Sequence, residues 1–267
     1  MPPDPFSLSN LVHLVENGTI NKLIWTPIER VLGFKKLSAL YKTLEKESPP
    51  QTFVRSVLSR LEIEYSVKKK ELPPSSGPLI IVANHPFGAL EALILVDYLA
   101  QYRTDIRILG NVFLKRIYPL STLIFGVNPL RDKKAISQNR TVIREIYHWL
   151  KDRHCLITFP AGNVSYLHFR QPFIDDGVWN KQIARLARST ASNVLPIAVD
   201  GKNSFWFYLL GNHLHALRYG LELLNKQGKA ISLHQEAIIT PDKFTTIPLD
   251  SDLILYFREK VMAPLNR

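Results

Sequence analysis

Residues 79 to 100 read LIIVANHPFGALEALILVDYLA, which sets one histidine, His85, between two apolar runs with a carboxylate, Glu91, shortly after it. The run up to Ala83 suits a strand buried on both faces, Pro86 and Gly88 mark a turn, and a helix is expected from around Ala89. His85 and Glu91 then lie either side of a strand-to-helix junction. Open α/β sheets place their sites at such junctions, at the C-terminal ends of the strands. A histidine there takes a proton from a hydroxyl when a carboxylate holds its other ring nitrogen. Asn84 and the N–H groups of the turn are candidate donors to an oxyanion. The same residues also fit a histidine that caps the helix or fills a polar gap, and this stretch alone favours neither reading.

The texture downstream of this stretch alternates. Strand-like DIRILG, CLITFP and NVLPIAVDG are interleaved with helical RTVIREIYHWLKD and WNKQIARLARST. This rhythm predicts an α/β fold, a mixed and largely parallel sheet flanked by helices. Upstream, apolar residues recur at threes and fours, broken at Asn17-Gly18 and Pro27, and PPQTFVRSVLSRLEIEYSV reads as a further amphipathic helix. KKKELPPSSG has the charge, Pro, Ser and Gly of a connector. The expected organisation is an N-terminal helical region, residues 1–75, followed by a second unit, residues 76–267.

Composition narrows the function classes. With 267 residues, 46% hydrophobic and 21% charged, the chain has ordinary globular usage and enough length to bury a large core. A net charge of +11 implies anionic company: nucleic acid, anionic lipid, or substrates bearing phosphates or carboxylates. Against nucleic acid, Lys and Arg are dispersed apart from runs such as KKK at 68 to 70, and no helix-turn-helix, finger or RNA-binding pattern is present. The single Cys155 forms no internal disulfide, which favours a reducing compartment. No apolar window reaches the ~18 residues of a membrane span, and the first residues lack the features of a signal peptide. A cytoplasmic protein, peripheral on the inner face of the membrane, is the expectation. His213 and His215 stand two apart without an accompanying Cys or carboxylate cluster, so no metal is expected.

A second block, CLITFPAGNVS, again runs from an apolar strand into a turn, here with Pro160, Gly162, Asn163 and Ser165. Together the two blocks resemble the glycerolipid acyltransferase superfamily, in particular its hemolysin-like lysophospholipid acyltransferase branch. The first motif of that branch looks like NHPFGGLDG, matched by residues 84 to 92. The next looks like FGVNPLR, with Arg131; the third, FPAGEVS in the branch, is FPAGNVS at 159 to 165; the fourth is VLPIAVDG, with Pro196. Order and spacing agree over roughly residues 75 to 210.

The resemblance implies that residues 76–267 are an acyltransferase domain, transferring a fatty acyl group from a thioester of coenzyme A or acyl carrier protein to a hydroxyl of a lysolipid. His85 is then the general base and Glu91 its orienting partner. Asn84, Gly88, Arg131, Gly162, Asn163 and Ser165 are implied to contact substrate. Arg131 reads equally as a solvated charge beside Asp132, Lys133 and Lys134. No cofactor is implied. Three departures stand out. Five residues separate His85 from Glu91 where the commonest superfamily motif has four, and the carboxylate is Glu rather than Asp. Asn163 replaces a Glu of the branch, removing a charge beside the site; with Glu91, this makes a catalytically impaired relative that binds lipid without acylating it the alternative reading. Ala161 stands where glycerol-phosphate acyltransferases carry Glu, which argues against a simple glycerol-phosphate acceptor. For membrane contact the sequence offers the aromatic run from Asn203 to His213, including Trp206, which also reads as core, and basic helices carrying Lys22, Arg30, Lys35, Lys36 and Lys42.

Overall fold

The computed structural model describes Pro5 and residues 34–130, 132–168, 173–204, 207–208 and 222–265. Helices α1 (Phe34–Thr43) and α2 (Pro50–Arg60) lead into strand β1 (Glu64–Lys69). Then follow β2 (Leu79–Ala83), α3 (Leu90–Leu99), β3 (Ile106–Asn111), two 3-10 turns, β4 (Ile124–Val127), α4 (Lys133–Lys151) and β5 (Cys155–Thr158). A small hairpin, β6 (Tyr166–His168) with β7 (Phe173–Asp175), precedes α5 (Gln182–Thr190), β8 (Asn193–Asp200), β9 (Ala230–Gln235), α6 (Pro241–Thr245) and α7 (Asp250–Met262).

The main sheet has seven strands in the order β1-β9-β8-β2-β5-β3-β4. Pairings are parallel except that between β8 and β9, so the expected mixed, largely parallel α/β fold is the fold observed. β2 lies at the centre, between β8 and β5, and its five residues are all buried. The alternation of a strand explains why the run is apolar throughout. Leu79, Ile81 and Ala83 face a core shared with Phe53, Val57 and Leu58 of α2 and Ile94 and Leu95 of α3. Ile80 and Val82 face a second core, built with Ile146 and Leu150 of α4, Ile183 and Leu186 of α5, and Leu253 and Phe257 of α7. Because β2, β3, β4, β5 and β8 run the same way, the loops after them emerge at one edge of the sheet. The loop after β2 carries His85.

One sequence expectation is corrected. The helix over PPQTFVRSVLSR does not continue through LEIEYSV: it ends at Arg60, Glu62 takes a positive φ of 52°, and residues 64–69 form the parallel edge strand paired with β9. Partnering across the sheet overrides the local helical spacing there.

Candidate active site

The turn between β2 and α3 is shaped by Gly88, whose φ of 103° is strained for any residue with a Cβ. It folds the chain so that Glu91, in the first turn of α3, points back at its own entry. Glu91 Oε1 accepts the backbone N–H groups of Phe87 (3.0 Å) and Gly88 (2.9 Å) and lies 2.7 Å from His85 Nδ1. The five-residue separation and the longer side chain therefore close the His–carboxylate pair. The Glu91 side chain is fully buried, whereas that of His85 keeps 15% of its surface open, so the imidazole reaches solvent and its partner does not. Burial alone would raise the Glu91 carboxyl. The charge of His85, its hydrogen bond and the Gly88 N–H outweigh burial and hold the carboxyl below its usual range. It is ionised at neutral pH.

Other elements fix the histidine from further directions. Phe159, just after β5, stacks on the imidazole with centroids 4.3 Å apart and planes 21° from parallel. Ser165 donates its N–H to the His85 carbonyl (2.9 Å), tying the third motif to the first. The His85 N–H is donated to Asp176 Oδ2 (3.0 Å), and the Ser165 hydroxyl to Asp176 Oδ1. Asp176 is buried, and burial pushes its carboxyl above the ordinary value against the opposing pull of Ser165 and His85.

Asn84, expected as an oxyanion donor, has its amide bonded to the neighbouring strand. Its amide donates to the Val199 carbonyl (2.9 Å) and accepts the Val199 N–H (2.7 Å), stitching the end of β2 to β8. The N–H groups of Phe87 and Gly88 are likewise engaged by Glu91. These donors build the scaffold of the turn. Gly201 completes it: a Cβ there would overlap the ring of Phe87. Of the other candidates, Ser165 is buried in the network just described, while Gly162 and Asn163 are exposed on the turn after β5. Arg131 lies outside the described residues, as do Trp206, His213, His215, Lys22 and Arg30. From the aromatic run, Phe207 and Tyr208 are buried against Val164.

Sequence reasoning missed Asp176 and Phe159. Phe159 stood inside the third motif without a role; Asp176 carried no local signal, because its partners lie in other segments. Away from this edge, Arg103 is buried among Asp105 and the carbonyls of Pro74, Gly77 and Arg153, a structural network lining a cleft of about 590 Å³ that holds none of the motif residues. Cys155 is fully buried and its thiol is pushed up to about 12, so it is not a nucleophile. Among the described residues no group of three or more His, Cys, Asp or Glu is placed to hold a metal ion.

Comparison with known proteins shows the family. A family model described as acyltransferase matches residues 22–235. The chain belongs to this acyltransferase family. Within the glycerolipid acyltransferase superfamily, it is 28% identical over 166 residues to the lyso-glycine lipid O-acyltransferase of Phocaeicola vulgatus, covering 62% of this chain and 57% of that protein. The lyso-glycine lipid O-acyltransferase of Bacteroides thetaiotaomicron is 26% identical over the same length, 62% of this chain and 58% of that protein. The chain thus spans less than three fifths of these curated relatives. Among solved structures, the 1-acyl-sn-glycerophosphate (LPA) acyltransferase PlsC of Thermotoga maritima is similar with a TM-score of 0.49 and 17% identity, over 80% of each chain.

Proposed function

We propose that this chain is an O-acyltransferase that moves a fatty acyl group from a thioester, of coenzyme A or acyl carrier protein, onto a hydroxyl of a lysolipid. The observation that carries the proposal is the 2.7 Å contact between His85 Nδ1 and a buried, ionised Glu91, with the imidazole itself partly open. An alcohol is a poor nucleophile at neutral pH and needs a base. With Nδ1 held by Glu91, the other ring nitrogen is left to take the hydroxyl proton. The alkoxide oxygen bonds to the thioester carbonyl carbon, the C–S bond breaks, and the imidazolium returns the proton to the departing thiolate. The products are an ester and a free thiol. Glu91 orients the imidazole and stabilises its cationic form.

In this reading residues 76–267 are the acyltransferase domain and residues 1–75 supply covering helices and the edge strand. Gly162, Asn163 and Arg131 are the substrate-contacting candidates, Arg131 by pairing with a phosphate or carboxylate. The lysolipid acceptor follows the names of the relatives and the motif resemblance. No helix among the described residues is long and apolar enough to cross a membrane, which fits docking on the inner face of the membrane. The test is acylation of lysolipids presented in vesicles, with acyl-CoA and acyl carrier protein donors supplied separately and ester product followed by mass spectrometry. Transfer from either donor supports the proposal; no ester from any lysolipid with either donor overturns it.

A further inference from the structure

Among the described residues, Asp176 is the one buried carboxylate, besides Glu91, hydrogen-bonded to the base-bearing turn, and neither the motifs nor the proposed mechanism uses it. It follows strand β7, and its neighbour Asp175 is gripped by the Arg258 guanidinium of α7 at 2.6 and 2.7 Å. The hairpin is therefore anchored on its outer side while Asp176, 3% exposed, is turned inward. One oxygen accepts the His85 N–H, and the other accepts the Ser165 hydroxyl, while Ser165 returns its own N–H to the His85 carbonyl. The peptide unit on each side of His85 is thus held by a partner from the hairpin segment.

We infer that Asp176 is a positioning residue for acyl transfer: through Ser165 and the His85 backbone it locks the third motif onto the first and keeps a negative charge beside the imidazole. Two physical arguments carry this. Hydrogen bonds to an ionised carboxylate are shorter and stronger than neutral ones, so the clamp fixes the histidine more firmly than an amide would. A buried carboxylate is costly to hold unless it is paired, and among the described residues its hydrogen-bond partners are the backbone of the base and a single hydroxyl. That cost is offset when the imidazole becomes positive during proton transfer, because an adjacent negative charge favours the imidazolium.

The inference rests on His85 being the base, and the experiment separates the two. Asp176→Asn preserves shape: its carbonyl oxygen still accepts the His85 N–H, and its amide donates to the Ser165 oxygen. The variant is expected to keep the thermal midpoint at neutral pH, keep KM, and lose about tenfold or more in kcat. In the His85→Ala background, the same change is expected to alter the residual turnover no further. Asp176→Asn with wild-type kcat overturns the inference, as does a kcat loss of equal size in the presence and absence of His85. Wild-type turnover in His85→Ala alone overturns the base assignment instead.

Discussion

Glu91 Oε1 is shared by three donors at once: it lies 2.7 Å from His85 Nδ1 while accepting the N–H groups of Phe87 and Gly88. The carboxylate that orients the imidazole is the same group that ties off the turn before α3. The geometry of the His85–Glu91 pair and the local folding of the turn are therefore coupled at one atom. Glu91→Gln is expected to cut kcat by about 10²-fold or more, with little change in KM, because the lost charge matters most when the imidazolium forms. Glu91→Asp shortens the reach by one methylene and is expected to retain part of the activity. Steady-state kinetics on both variants checks this; wild-type kcat in Glu91→Gln contradicts it.

Asn84 gives a contrasting expectation. Since its amide pairs with both backbone groups of Val199, Asn84→Ala leaves a buried N–H and C=O unpaired and is expected to lower stability by about 1–3 kcal/mol. Denaturant unfolding measures that loss. A large fall in kcat at unchanged stability would instead mark Asn84 as an oxyanion donor.

The acid limb of stability carries the mark of the same carboxylate. Glu91 is held below its ordinary 4.5, so the stability it contributes is fully present above pH 4.5 and is lost as the pH falls through its lower folded value. Asp176, raised above 3.8, has the opposite sign: its contribution is present below pH 3.8 and lost as the pH rises through its higher folded value. Thermal midpoints below pH 4.5 are expected to fall more steeply in the wild type than in Glu91→Gln. Parallel acid limbs would contradict the buried ionised carboxylate.

Membrane docking has a separate expectation. Lys35, Lys36 and Lys42 of α1 are exposed while Leu37 and Tyr41 of the same helix are buried, and each basic residue close to an anionic surface contributes about 1 kcal/mol of attraction. Co-sedimentation with anionic vesicles is expected, decreasing as salt is raised. Equal pelleting with neutral and anionic vesicles would count against electrostatic docking.

The parts of this molecule that were legible in sequence are those fixed by near neighbours. The strand, turn and helix around His85 follow from an apolar run broken by Pro86 and Gly88, and the His85–Glu91 pair spans only that turn. What escaped is set by distant partners. β1 reads as helix until β9 pairs with it, and Asn84 reads as a free donor until Val199, 115 positions later, takes both ends of its amide. Asp176 meets the His85 N–H from 91 positions away, across a hairpin no periodicity announces. The motifs identified the family more readily than the geometry, because a motif records which residues occur and not which hydrogen bonds they make.

The most direct measurement of the central claim is the turnover of His85→Ala on lysolipid vesicles with a thioester donor, alongside its thermal midpoint. His85 sits on a turn outside the apolar run of β2, so the variant is expected to fold, with transfer reduced by about 10²–10⁴-fold or to background. A folded His85→Ala protein that acylates lysolipid at the wild-type rate would contradict the assignment of His85 as the base.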